Sequence, residues 1–543
     1  MTAKLSSSYV ARKIFRLNPS TEISKFQDAW KQVVEHHDIL RTRVISLTGI
    51  GLVQVVCAHA PEDRISDDLS SYLAEDQEYH MGLASALSYA AFIDDKESKN
   101  RYFVWTIHHA LFDGLSLPLL LDAIVKGYNR EEAPITVPFQ SFIKLNATLD
   151  VDDATDYWRS QFEGCEAQMF PSLPTPTHQP RANETIVHAA TTISWPKTNI
   201  TPSNIIRSAW AIVQGRHSNS DDVVFGAVVS GRQAPMPGIS SVMGPTIATV
   251  PIRIRVNKSI RVNEFLQQVQ SQSVDMLAYE QFGLSRIKGL GKVESEASSF
   301  QTLLIVQPGE DTQATDDKCR LLTEIDADPA TTVHQFNTDA LTIICSLYDH
   351  GFDLVLSFDS DMLPIETAGQ IATQMEAVVQ HLCDISLHKR YISEVQTTSM
   401  EELSAIWSWN ASVPEPKEAC IHELFSTIAK QRPHMPAINA WDGNLTYGEL
   451  DELSTTLAGH LIARGAGPGT IIPLFFHKSK WIVVSILGVM KAGSASVALD
   501  MSHPESRLRT VVQQTCSNSK QQIILCSKPE MVETKLQFLL RKS

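Results

Sequence analysis

Two adjacent histidines, His108 and His109, are followed four residues later by Asp113 and then Gly114, in the run His108-His109-Ala-Leu-Phe-Asp113-Gly114. Imidazole can take or give a proton near neutral pH, and a carboxylate close by can orient it or hold its loop. Neighbouring residues on extended chain point to opposite sides, so one histidine of the pair can face a cavity while the other faces inward. Gly114 would let backbone or substrate approach where a side chain would obstruct. As a bare pattern, two histidines and an aspartate more often satisfy one another around a buried turn. No third ligand stands at helical or hairpin spacing, so the run does not read as a metal site.

The run sits where a strand meets a helix. Tyr102–Ile107 is a short apolar stretch that reads as a buried strand. Ser116 is placed as the N-cap of a helix that tolerates Pro118 in its first turn and continues its face through Leu119, Leu120, Ile124 and Val125. Upstream, Ser8–Leu17 predicts a strand bounded by Asn18-Pro19. Ile23, Phe26, Trp30, Val33 and Val34 then recur at helical spacing, with Ser24 and Gln27 as a capping box, and a strand signal returns at Arg43–Leu47. The proline-rich stretch Pro171–Pro180 reads as a loop between two halves of one larger unit. After it the same grammar resumes, with a helix from Thr201-Pro202 to Gly215 and a strand at Val223–Val229. Further strands are expected at Thr302–Val306, Leu341–Ser346 and Phe352–Phe358. A second boundary falls at Trp407–Pro416, which carries turn and linker residues, and a new pattern begins at His422.

A chain of 543 residues exceeds what one core usually serves, so two or three domains are expected. The formal net charge of −15 argues against nucleic acid as a partner, because phosphate binding wants a basic face. Cys57, Cys165, Cys319, Cys345, Cys383, Cys420, Cys516 and Cys526 stand singly, without the pairs of a zinc site or a disulfide framework, which fits reduced thiols in a cytoplasmic protein. The first eight residues lack a signal peptide's apolar core, and Trp481–Met490 is too short to span a bilayer, so no membrane association is expected.

The seven-residue run fits the His-His-x-x-x-Asp-Gly signature of condensation domains of nonribosomal peptide synthetases. The resemblance continues in order. Glu35-His-His-Asp-Ile-Leu40-Arg41-Thr42 looks like the family's Arg-His-Glu-x-Leu-Arg-Thr element, and Tyr157-Trp158 like its next block. Val224–Arg232 and Gly244–Arg253 look like the second-lobe blocks in their fungal form. The family's first block and the asparagine of its Gly-x-x-x-Asn-Thr segment, Ala248 here, are the departures. From His422 the chain resembles the start of an adenylation domain, through Leu445-Thr-Tyr-Gly-Glu-Leu450, then Met490–Asp500 with Pro504 and Arg507-Leu508.

The resemblance implies an α/β fold of two chloramphenicol-acetyltransferase-like lobes in a V, followed by a partial adenylate-forming subdomain. The expected divisions are a condensation domain over 1–400 (lobes of about 1–170 and 181–400), a linker over 401–418 and a truncated adenylation portion over 419–543. It further implies amide-bond formation between a carrier-bound acyl or peptidyl thioester and an aminoacyl acceptor. The phosphopantetheine arms of upstream and downstream carrier domains would enter a tunnel between the lobes. His109 is then the catalytic group, taking the amine proton or orienting and stabilising the tetrahedral intermediate, with His108 beside it and Gly114 bordering the tunnel. Asp113 and Arg253 match positions of a structural salt bridge beneath the loop, and Arg41 supports the site. No cofactor, metal or ATP site is expected in this chain, whose last residues, Val532–Ser543, leave the family pattern. The competing readings are a catalytically silent remnant or docking module and a free-standing acyltransferase using acyl-CoA.

Overall fold

The apolar run ahead of the histidines forms the strand Arg101–His108, the middle of a five-stranded sheet. Its antiparallel neighbours are Val10–Leu17 and Ser88–Asp94, with Leu322–Glu324 and Arg64–Ser66 at the edges. Helix Ile23–His36 and helix Ser116–Asn129 cover one face, where Phe103, Trp105 and Ile107 meet Phe26, Trp30, Leu120 and Ile124. Trp30 lies edge-on to Phe103 and Trp105, with ring centroids 5.3 and 5.2 Å apart. Tyr102 and Val104 point to the other face, onto Ile14, Tyr72 and Ile93. Both faces are thus buried, which is why the strand reads as continuous apolar sequence without alternation. Each such large side chain contributes about 1.5–3 kcal/mol through burial.

The structure, a computed structural model, describes residues 9–132, 134–175, 177–309, 321–325, 339–500, 503, 505–516 and 523–527. Ser8 and the residues before it, Cys319, Pro504 and the tail Val532–Ser543 lie outside the described residues. The chain divides into two units, 1–409 and 410–543. The expected linker over 401–418 is therefore helical in its first half, because Met400–Trp409 forms a helix of the first unit. Glu402 holds that helix there, accepting from Gln374 Nε2 at 2.7 Å.

The second lobe of the first unit is a six-stranded sheet in the order Ala248–Arg255, Asp222–Val229, Thr302–Pro308, Leu341–Tyr348, Gly351–Phe358, Glu184–Ala190. Helices Pro202–His217 and Ile365–Cys383 pack in its core, with Trp210, Phe225 and Met375 fully buried. Helix Val151–Phe162 also buries Ala154, Trp158 and Phe162 in this core, so the lobes change over before 151 and not near 170. The lobes share backbone as well as sequence. Val242–Met243 pairs in parallel with Val137–Pro138, and Leu322–Glu324 adds to the first lobe's sheet, where Glu324 accepts from Lys13 at 2.7 Å.

One expected cap is absent and another helix start is capped. Helix Ile23–His36 starts after Glu22, so Ser24 lies inside it and the Ser24–Gln27 box is not made. Thr201 does cap Pro202–His217, its hydroxyl accepting from the Asn204 amide.

In the second unit, the hairpin of Pro436–Ala440 and Gly443–Thr446 leads into helix Tyr447–Ile462, whose N-terminus carries a Thr446–Glu449 capping box. A parallel sheet orders Ala495–Ala498, Ile471–Phe475 and Leu525–Cys526. Helix Lys480–Lys491 contains the apolar Trp481–Met490 stretch, and its Lys491 ammonium bonds Asp451 at 2.7 Å. Among the described residues no helix is long and apolar enough to cross a membrane. Cys57, Cys165, Cys345, Cys383, Cys420 and Cys526 are free thiols.

A polar network lies inside the first lobe. The Asp76 carboxylate is fully buried and accepts from Arg12 Nε at 2.5 Å, Tyr89 at 2.7 Å and Thr106 at 3.1 Å. Removing one member of a buried ion pair strands the other's charge. Asp76→Ala is expected to destabilise the first unit by about 3–5 kcal/mol, measured by urea unfolding followed by tryptophan fluorescence.

Candidate active site

At the end of the central strand, successive amides reach opposite neighbours. His108 N donates to the Leu87 carbonyl at 2.8 Å and His109 N to the Tyr9 carbonyl at 2.7 Å. The histidines are pinned by the residues that lead into the two strands flanking their own. His108 is buried, and its Nδ1 accepts from the Ala110 amide at 3.0 Å, which leaves that nitrogen unprotonated. Burial, with the His109 charge beside it, pushes His108 down to about 4, so it is neutral at physiological pH and shapes the turn. His109 is half-buried, and its ring stacks on Phe112 with centroids 4.7 Å apart and planes 18° apart. The two adjacent residues thus divide as extended backbone requires, one inward and one toward solvent.

Asp113 has no exposed surface, and its carboxylate takes donors from both lobes. From its own loop, the Ser116 and Leu115 amides donate to Oδ1 at 2.7 and 3.2 Å. Ser116 Oγ in turn accepts from the Asp113 amide at 2.8 Å, so in place of the expected Ser116 cap a reciprocal Asp113–Ser116 pair closes the start of the helix, of which Ser116 is the first residue. From the second lobe, Arg232 Nη2 donates to Oδ1 at 3.0 Å, and the Thr246 amide and hydroxyl donate to Oδ2 at 2.9 and 3.2 Å. Burial raises the carboxyl's pKa, but the Thr246 amide, the Arg232 charge and the Ser116 amide outweigh it and hold it below its ordinary value. Gly114 is exposed, and a Cβ there would meet nothing within 4 Å. The free chain's packing therefore does not demand glycine at this position.

Residues 1–406 match the condensation-domain family model. The chain belongs to the condensation-domain family. Residues 425–535 match the model of AMP-binding enzymes. The nonribosomal peptide synthetase ungA' of Aspergillus campestris is 41% identical over 95% of this chain, which spans 5% of that protein's length. N-benzoylphenylalaninol synthetase apmA of Penicillium brevicompactum is 37% identical over 98% of the chain and 22% of its own length. The fold is that of the first condensation domain of the calcium-dependent antibiotic synthetase, with a TM-score of 0.53 at 13% identity over 73% of this chain and 95% of that one. A four-domain nonribosomal peptide synthetase matches 97% of this chain and 42% of its own, with a TM-score of 0.58 at 18% identity.

The condensation domain does not use Arg253 as expected. Its guanidinium pairs with Asp222, Nε to Oδ1 at 2.8 Å and Nη2 to Oδ2 at 2.7 Å, and donates to the carbonyls of Gln161, Glu163 and Gly164. The reason is register. Arg255 stands opposite Asp222 on the antiparallel partner strand, so Arg253, one pleat along on the same face, reaches Asp222 diagonally. Arg253 fixes the end of helix Val151–Phe162, and Arg232 partners Asp113 in its place.

Arg41 also acts elsewhere. It donates to the carbonyls of Val34, Glu35 and Cys57 and to the Asp38 carboxylate at 2.6 Å, tying the last turn of helix Ile23–His36 to the hairpin strands Thr42–Leu47 and Gly51–Val56. His36 bonds the Gln32 carbonyl in that same last turn.

Arg232 and Thr246 were not among the expected site residues, although both lie in the second-lobe blocks. The available signal was Ser230-Gly231-Arg232, a cation just beyond an apolar strand and a glycine. Gly231 has φ +66°, and a Cβ there would stand 2.0 Å from the Thr246 carbonyl oxygen, so glycine brings the two strand ends together.

Among the described residues, one cluster offers three metal-ligating groups, Cys420, His422 and Glu423, in the second unit. Glu423 is already the cap of the Cys420 amide there, and a helix N-terminus disfavours a cation.

Asp113→Asn leaves Arg232 facing a neutral group and is expected to cost about 3–5 kcal/mol at neutral pH. The folded carboxyl titrates below its ordinary 3.8, so its contribution is complete above that value and is lost as pH falls through the lower folded value. The gap between wild type and variant therefore narrows toward about pH 3, which urea unfolding at the two pH values measures.

Proposed function

We propose that this chain forms an amide bond between two carrier-bound substrates, as a condensation domain in secondary-metabolite synthesis. The observation that carries the reading is the half-exposed His109 on a loop locked from both lobes, beside the neutral, buried His108. The two relatives described above, both synthetases, support it, as does the AMP-binding match that follows on the same chain. An acyltransferase using a diffusible acyl-CoA would have no use for that second unit.

In this reading the acceptor's amine nitrogen attacks the thioester carbonyl carbon of the donor. The C–N bond forms, the C–S bond breaks, and the proton lost by the amine ends on the departing thiol. The peptide is left on the acceptor's arm. His109 supplies an imidazole where that proton leaves or where the tetrahedral intermediate develops. His108 is not a proton carrier at neutral pH, because its Nδ1 accepts from the Ala110 amide and burial keeps the ring uncharged. The substrates ride on phosphopantetheine arms of upstream and downstream carrier domains, and the chain itself needs no cofactor or metal for this step. Its place is the cytoplasm.

His109→Ala is expected to lower carrier-bound peptide formation by at least about 100-fold with thermal unfolding unchanged. Wild-type turnover in that variant, supplied with loaded donor and acceptor carriers, would sink the assignment. Gly114→Ala tests the close approach. Its backbone is not left-handed and its surroundings are open, so stability should move by less than about 0.5 kcal/mol while peptide formation falls.

A further inference from the structure

Asp113 is held by Arg232 and Thr246, and something must hold those two in turn. The turn Glu280–Phe282, which follows helix Val262–Met276, reaches both of the strand ends that carry them. Glu280 is 4% exposed, and its carboxyl lies close enough to the Gly231 amide for that amide to oppose the effect of burial on its pKa. Gln281, the next residue, donates from Nε2 to the Thr246 carbonyl at 3.0 Å. A Cβ on Gly231 would stand 2.8 Å from that same Nε2, so turn and strand ends touch with no room between them. A buried carboxyl is costly unless its bonds are needed, and this one has no part in the chemistry above.

We propose that Glu280 and Gln281 are positioning residues for amide formation, fixing the Gly231 turn and Thr246 so that Arg232 and Thr246 meet Asp113 and hold the His109 loop. The inference rests on the proposed condensation reaction only for its effect on rate.

Burial pushes the Glu280 carboxyl up to about 7, against the opposing pull of the Arg207 charge and the Gly231 amide. Arg207 comes from helix Pro202–His217 and is held by Ser273 Oγ at 2.9 Å. Tyr279 precedes Glu280 in the chain, with the Tyr157 ring stacked on it at 4.5 Å, and Arg232 follows Gly231. A carboxyl offers the Gly231 amide an acceptor whether or not it is ionised, and a glutamine oxygen does the same.

The test compares Glu280→Ala, Glu280→Gln and Gln281→Leu with wild type, in the full chain given loaded carriers. Glu280→Ala is expected to lower kcat by about 10- to 100-fold with KM nearly unchanged. Glu280→Gln should restore most of that rate, and Gln281→Leu should fall between. Exchange of the Thr246 and Ser116 amides, which both bond to Asp113, should quicken by about tenfold in Glu280→Ala and Gln281→Leu but not in Glu280→Gln. Unchanged kcat in the alanine variant, or an equal loss in the glutamine variant, overturns the proposal. If Glu280→Ala does not fold, Gln281→Leu decides alone, and wild-type exchange in it overturns the proposal. If the wild-type chain forms no peptide, the reaction assigned to the loop fails by itself. The exchange rates then decide the clamp, which stands if Thr246 and Ser116 quicken and falls if they do not.

Discussion

A carboxylate with no access to water must find its donors and its counter-charge inside the protein. Asp113 finds them on chain segments more than a hundred residues apart: the first turn of its own helix, Arg232 beyond one strand of the second lobe, and Thr246 before another. The histidine loop can therefore take this shape only when both lobes are folded and in contact. The arginine is itself committed, donating from Nη1 to the carbonyls of Ile239, Ser240 and Val242 and from Nη2 to that of Gly244. Val242 belongs both to that cluster of carbonyls and to the short parallel pairing of Val242–Met243 with Val137–Pro138, so one stretch of chain serves loop and lobes together.

The loop is rigid at its other end for a different reason. Residues leading into the two flanking strands take the amides of His108 and His109, one each, so the backbone cannot turn either ring without breaking one of these bonds. His108 spends its Nδ1 on the Ala110 amide and closes the turn, and His109 is left with an aromatic neighbour and partial exposure. In the proposed reaction, an imidazole held between a sheet and an ion pair would need little reorganisation when substrate arrives, which is the condition for electrostatic and proton-transfer catalysis.

The other charged pairs do comparable work at helix ends. Arg41 and Arg253 each gather carbonyls left unpaired at the end of a helix and add a carboxylate, Asp38 in one case and Asp222 in the other. In the second unit Lys491 instead joins two helices side by side, reaching the Asp451 carboxylate and carbonyl from the end of its own helix. These contacts join elements that are adjacent in space but lie up to about ninety residues apart in the chain, as Arg253 and Glu163 do.

Local chemistry was legible in the sequence. Periodicity and turn residues placed the strand Arg101–His108, the loop after it and the helix beyond it to within a residue or two, because those signals act between near neighbours. The run of blocks gave the family, and alternation along extended chain predicted that one histidine of the pair turns inward and the other outward, the resemblance naming His109 as the outward one. Tertiary structure alone decided which arginine meets Asp113. Arg232 and Arg253 both sit in second-lobe blocks, and composition does not distinguish them. Strand register sends Arg253 to Asp222, while the left-handed backbone of Gly231 brings the chain ahead of Arg232 against Thr246. The same holds for Leu322–Glu324, a strand of the first lobe's sheet encoded within the second half of the chain, and for helix Val151–Phe162, which precedes the expected lobe boundary yet packs in the second core. Sequence patterns report which face of an element is apolar, but its partner is fixed by closure of the whole chain, where long-range pairing and buried charge must be satisfied together.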